Sequence, residues 1–257
     1  VIDLNRLLQH VAAHPYPTIF VTISGAHLYG FPSPDSDFDL RGVHLLPLEQ
    51  VIGLDHGQET VEKEGWYDGL EIDLVTHDAA KYFALMLKRN GYVLEQIFSP
   101  WVVFTTPEHE QIKSLAAQCI TQQHAHHYLG FASRQWQLFR QGVPPRVKPL
   151  LYTYRVLLTG IHLMQTGRIE ANLLALNRHE GLPYIDELVA RKLSGPECQV
   201  LNTVDFQFDE GEYQRLTRKL EKAHEASFLP EQPAAKAELH NLLVKMRTGG
   251  SSTSARC

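Results

Sequence analysis

Asp37 and Asp39 stand two residues apart in Ser36-Asp37-Phe38-Asp39, just downstream of a glycine-flanked segment, Ser24-Gly25-Ala26-His27-Leu28-Tyr29-Gly30. On a strand, carboxylates at i and i+2 project to one face. A third acidic residue, Asp73, lies in the apolar run Leu70-Glu71-Ile72-Asp73-Leu74-Val75. Supplied by a neighbouring strand, it completes an oxygen-rich site for Mg²⁺ or Mn²⁺, which also takes ligands from substrate phosphates. Such a site brings a nucleoside triphosphate (NTP) and an attacking hydroxyl together. Glu71 shares a face with Asp73 by alternation, so it is an alternative third ligand. Glycine at position 25 permits positive φ or a close approach. Backbone N–H groups near Gly25 and Ala26, opening a helical turn, offer a phosphate cradle. Ser24 and Ser36 add hydroxyls, and His27 lies within the same turn, where it can touch nucleotide. A lone Asp-x-Asp is ordinarily a solvated strand end, since acidic residues are mostly exposed. The glycine turn and Asp73 together favour a site instead.

A second group is cationic. Lys148, Tyr152 and Arg155 fall at i, i+4 and i+7 of one helical face, with Arg134, Arg140 and Arg146 adding charge nearby. Such a face binds a triphosphate or an RNA backbone, with Tyr152 free to stack on a base. The plainer alternative is a solvated face with a packed tyrosine. His124-Ala-His126-His127 does not make a convincing metal site, because only His124 and His127 converge on a helix. The chain has no His-Glu-x-x-His, dinucleotide Gly-x-Gly-x-x-Gly, Walker lysine or Gly-x-Ser-x-Gly elbow. Those absences leave little support for zinc-protease, dehydrogenase, P-loop or serine-hydrolase chemistry.

The elements that must position these groups divide the chain in two. Residues 3–14 read as a helix ended by Pro15 and Pro17; Thr18 to Ile23 is a buried strand, and Phe31 to Ser36 is a loop. Phe38 to Leu46, Glu59 to Lys63 and Leu70 to Thr76 are further strands. A helix from Asp78 ends near Asn90-Gly91, and Val93 to Phe98 is another. Beyond Pro107 the spacing is helical, roughly over 108–120, 121–141, 146–166, 171–178, 183–193, 210–226 and 233–247. The expected organisation is a catalytic domain over 1–104, a helical domain over 105–247 and a disordered tail over 248–257.

The pattern Ser24-Gly25, Gly30, Ser36-Asp37-Phe38-Asp39 and the later Asp73 resembles the DNA polymerase β nucleotidyltransferase superfamily. There the order is Gly-Ser, a helical turn, Gly, Ser-Asp-x-Asp, then a third acidic strand residue; this chain has Ser-Gly at the first position. Residues 29–43, 83–98 and 148–167 are similar to one branch, the RNA repair pathway DNA polymerase β family. The resemblance implies an α+β head with a mixed sheet, followed by a helical bundle. It favours Asp73 over Glu71. It implies a two-metal reaction in which Asp37 and Asp39 bind the metal on the triphosphate, while Asp39 and Asp73 bind the metal that activates the nucleophile. An RNA end is then the expected acceptor. Transfer of AMP to a protein or small molecule, and a catalytically silent nucleotide-binding scaffold, are the alternatives.

Bulk properties agree with a globular enzyme. The 257 residues are 44% hydrophobic with a formal charge of −5, so any RNA-binding surface must be local. The three cysteines are scattered and form no Cys-x-x-Cys pair, which fits a reducing cytoplasm. No signal peptide and no apolar run long enough for a membrane helix is visible.

Overall fold

The computed structural model describes residues 4–196, 199–201 and 205–249. The expected tail over 248–257 therefore lies almost entirely outside the described residues. The first half runs α1 (Leu4–Ala12), β1 (Thr18–Ile23), α2 (Gly25–Tyr29), β2 (Phe38–His44), α3 (Glu49–Ile52), β3 (Thr60–Tyr67), β4 (Leu70–Asp78), α4 (Ala79–Met86), α5 (Gly91–Ile97) and β5 (Val102–Thr105). The second half is helical: α6 (Pro107–Ala117), α7 (His124–Gln141), α8 (Val147–Thr166), α9 (Leu173–Glu180), α10 (Pro183–Ser194), α11 (Phe206–Glu225) and α12 (Lys236–Arg247).

The sheet order is β3-β4-β2-β1-β5. Every neighbouring pair is antiparallel except β2 with β4, so the sheet is mixed. One face is covered by α1, whose Leu7 and Val11 pack on Val21, Ile23, Leu40, Ile72 and Leu74. The other face places Phe20 and Val43 in a core that continues through α4 and α5 into the helical half as far as Leu242. The α+β head and helical bundle expected from the sequence are both present. Chain direction changes character between β5 and α6, yet one hydrophobic core serves both halves.

At the centre of the bundle, α8 is buried on nearly all sides, the behaviour of a helix that is apolar all round. It packs on α7 and α11. Tyr154 donates to Asp209 at 2.9 Å, and Trp136 stacks on Tyr213 at 4.9 Å. At the far end, Arg247 donates to Asp78 at 2.6 Å, and Asp78 also accepts from the Leu46 and Ala80 N–H groups. A single buried carboxylate thus caps α4 and ties α12 to the sheet.

Three local expectations are corrected. The four-residue edge strand β5 lies where the sequence analysis assigns no element, because its short Val-Val-Phe-Thr run sits beside Pro100 and Pro107. Strand β3 runs past Lys63 to Tyr67, drawn out by the tight turn at Asp68-Gly69. Finally, α4 stops at Met86, and Asn90 caps the start of α5 by accepting from the Tyr92 N–H, rather than ending α4.

Candidate active site

Asp39 and Asp73 are register partners on the parallel strands β2 and β4. In-register neighbours point to the same face, about 5 Å apart along the hydrogen-bonding direction. Asp37 lies one residue before β2. Among the described residues, no three His, Cys, Asp or Glu side chains converge as a metal-holding cluster. Arg41, which the sequence reading did not single out, stands between two of the expected ligands. It lies two residues beyond Asp39 on the same face. Its Nη2 donates to Asp39 Oδ1 at 2.6 Å and to Asp73 Oδ2 at 2.7 Å. Its Nη1 donates to the carbonyls of Asp73 at 2.7 Å and Leu40 at 3.0 Å. Asp73 Oδ1 is left buried with no hydrogen-bond partner. The alternation that links Asp37 to Asp39 also marks Arg41; a reading confined to carboxylates passes over it.

Burial pushes the Asp39 carboxyl up to about 6; Arg41 and Lys148 pull it down, while Asp37 and Asp73 push it further up. That balance places three carboxylates and two cations within electrostatic reach of one another. Glu71, the alternative third ligand, is exposed and precedes the β2–β4 register, which begins at Phe38 opposite Ile72.

Gly25 is required by the carboxylate beside it. Its φ is +60°, and a Cβ there would stand 1.8 Å from Asp39 Oδ2. No L side chain fits without moving that oxygen. Ser24 is buried and its N–H donates to the Asp39 carbonyl at 2.8 Å, fixing the turn to β2. Gly30 ends α2 with φ +88°, and a Cβ would meet Asn172 at 2.7 Å, so the helical half closes on this turn. His27 stacks on Phe38 at 4.3 Å, and burial lowers its pKa despite the neighbouring Asp37. Ser36 holds Ser33 at 2.9 Å, and the buried Lys192 of α10 reaches Ser33 at 2.8 Å. The loop that delivers Asp37 is therefore clamped from the bundle.

The face formed by Lys148, Tyr152 and Arg155 turns toward the head rather than to solvent. Lys148 lies 5.8 Å from the Tyr152 ring and within charge range of Asp39. Tyr152 meets Tyr29 and Phe31 edge-on at 5.5 and 5.7 Å. Arg155 corrects the expectation of a surface cation. It is wholly buried, pairs with Glu95 at 3.1 Å and lies 3.6 Å over the Tyr29 ring. It underpins the α2 turn from behind. Tyr92, also missed by the sequence reading, is electrostatically linked to Asp39 and packs on Phe131 and His127, each at 5.3 Å. Of the histidine-rich segment, His124 is held by Thr121 and His127 by Tyr92 and Tyr128.

Residues 2–245 match the RlaP family, described as the RNA repair pathway DNA polymerase beta family. This chain belongs to that family. RlaP membership spans both the sheet that carries Asp39 and Asp73, with Asp37 just before it, and the bundle that carries Lys148. Two uncharacterized relatives are similar to it. MJ0002 of Methanocaldococcus jannaschii is 32% identical over 158 residues, covering 60% of this chain and 63% of the relative. YcgL of Bacillus subtilis is 27% identical over 254 residues, covering 94% of this chain and 93% of the relative. A nucleotidyltransferase-like protein from Exiguobacterium sibiricum aligns in structure over 96% of this chain and 75% of that one, with 12% identity and a TM-score of 0.33.

The donor set suits a hard divalent cation at one position and not at another. Asp37 and Asp39 carry carboxylate oxygens, donors of the kind Mg²⁺ and Mn²⁺ prefer. Between Asp39 and Asp73, the place expected for a second metal holds the Arg41 guanidinium.

Proposed function

We propose that this chain is a metal-dependent nucleotidyltransferase that moves a nucleoside monophosphate from an NTP to an acceptor hydroxyl, with an RNA end as the acceptor. The observation that carries the reading is the in-register pair Asp39–Asp73, with Asp37 one step away and Gly25 pressed against Asp39. Membership of a polymerase β family described by RNA repair supports the acceptor. A cytoplasmic site of action is part of the same proposal; no helix among the described residues is long and apolar enough to cross a membrane.

Asp37 and Asp39 would hold Mg²⁺ or Mn²⁺, which when bound supplies positive charge for the triphosphate and departing pyrophosphate. The chain's own groups do the rest. Lys148 adds charge for the phosphates. Ser24, Ser36 and the backbone about Gly25 and Gly30 shape the turn against which the triphosphate lies, with His27 behind it. Tyr152 and Tyr92 offer aromatic surface to the base. Arg155 sets Tyr29, and through it the turn. The acceptor oxygen bonds to the α-phosphorus as the bond from that phosphorus to the bridging oxygen breaks, releasing pyrophosphate. The hydroxyl proton is given up to solvent.

The test is transfer of label from α-phosphate-labelled NTPs, with Mg²⁺ or Mn²⁺, to RNA, protein and small-molecule acceptors. The expected result is labelled RNA that disappears with Asp37→Ala while the variant stays folded. Labelled protein without labelled RNA would replace the acceptor. Nucleotide binding with no transfer under either metal would make the chain a binding scaffold.

A further inference from the structure

We infer that Arg41 is a fixed cation standing in for the second metal, so that this site takes a single divalent ion per bound nucleotide. The inference rests on the nucleotidyltransferase reading and refines it.

A two-metal site needs the carboxylates of Asp39 and Asp73 to share a cation. Here they share a guanidinium. One nitrogen, Nη2, contacts both carboxylates, at 2.6 and 2.7 Å. A cation bridging the two groups would need the space that this nitrogen fills. The arginine is also not a side chain resting loosely across two acids. Nη1 is anchored separately to two strand carbonyls, those of Leu40 and Asp73. The guanidinium therefore makes four hydrogen bonds, in the planar forked geometry that arginine supplies and lysine does not. Only 19% of the side chain is exposed. Swinging it out would leave two backbone acceptors and two half-buried carboxylates unanswered.

The strand pairing explains why Arg41 reaches both partners. It is two residues from Asp39 on β2 and stands opposite Val75 of β4, one same-face step beyond Asp73. The guanidinium turns back along both strands toward that pair. On the far side of Asp39, Oδ2 lies against Gly25, and Asp37, one residue before β2, is within charge range of Asp39. The carboxylate left to Asp39 is thus that of Asp37, and the inference assigns the single ion to that pair.

Manganese counting tests this apart from activity. The full-length chain is dialysed to equilibrium against Mn²⁺ with saturating α,β-methylene NTP, each of the four bases in turn, and bound Mn²⁺ is read by electron paramagnetic resonance. The inference expects one ion per chain in the wild type and the same number in Asp73→Asn. It expects a second ion in Arg41→Ala, lost again when Asp73→Asn is added. Two ions in the wild type, or loss of an ion in Asp73→Asn, would overturn the inference and leave the nucleotidyltransferase reading standing. A folded Arg41→Ala that still holds one ion would overturn it too. Wild-type chain that retains no Mn²⁺ with any analogue would sink the reading itself. Should Arg41→Ala fail to fold, the wild type and Asp73→Asn decide the matter.

Discussion

Asp39→Asn is expected to slow nucleotidyl transfer by on the order of 10³-fold while raising the stability of the metal-free protein at neutral pH. The two effects have one cause. Burial is the largest influence on the Asp39 carboxyl and lifts it to about 6, with Asp37 and Asp73 adding repulsion that Arg41 and Lys148 do not fully offset. An unfolded chain would release the same proton near pH ~4. Between those values the folded protein binds the proton more tightly than the unfolded one. The stabilisation is complete below the unfolded value and is lost as pH rises through 6. At pH 7.5 the ionised carboxylate therefore costs the empty site about 2 kcal/mol. Asparagine keeps the shape without the charge. Melting of Asp39→Asn should exceed that of the wild type by about 4–8 °C at pH 7.5, with the difference closing near pH 4. A lower melting temperature at pH 7.5 would mean that the Arg41 pair outweighs burial.

The second large effect is on stability. Arg155→Met or Glu95→Ala should each cost about 3–5 kcal/mol, because each leaves a charged partner stranded in the core. Both side chains are essentially inaccessible, at 0% and 2% exposure. Burial by itself would lower the Arg155 pKa, yet Glu95 and the surrounding tyrosines hold it above the ordinary value. The double variant Arg155→Met with Glu95→Leu should recover most of the loss, since no charge is then left unpaired. Urea unfolding of the two singles and the double checks this. Strictly additive losses would show that the pair is not coupled.

Much of the candidate site was legible because it is written in local rules. Acidic residues two apart, a glycine at a close approach and a carboxylate inside an apolar strand are each visible without neighbours. What joins them is not local. That β2 lies parallel to β4, with Asp39 against Asp73, depends on a strand order no short segment encodes. Arg155 shows the same limit from the other side. Its spacing from Lys148 and Tyr152 is real, but spacing cannot say whether a helical face meets water or the head. On α8 it meets the head, and the cation becomes a buried strut under Tyr29. Helix positions were easier to read than strand edges: α8 and α10 begin and end close to their Pro, Gly and apolar signals, whereas β5 is too short for alternation to stand out.

The most direct measurement is a crystal of the chain soaked with a non-hydrolysable NTP and Mn²⁺, with anomalous scattering locating the metal. Manganese bonded to Asp37 and Asp39, and a triphosphate lying along the Gly25 turn below Lys148, is the predicted result. Nucleotide density seated away from the β2–β4 pair, with no manganese on either aspartate, would contradict it.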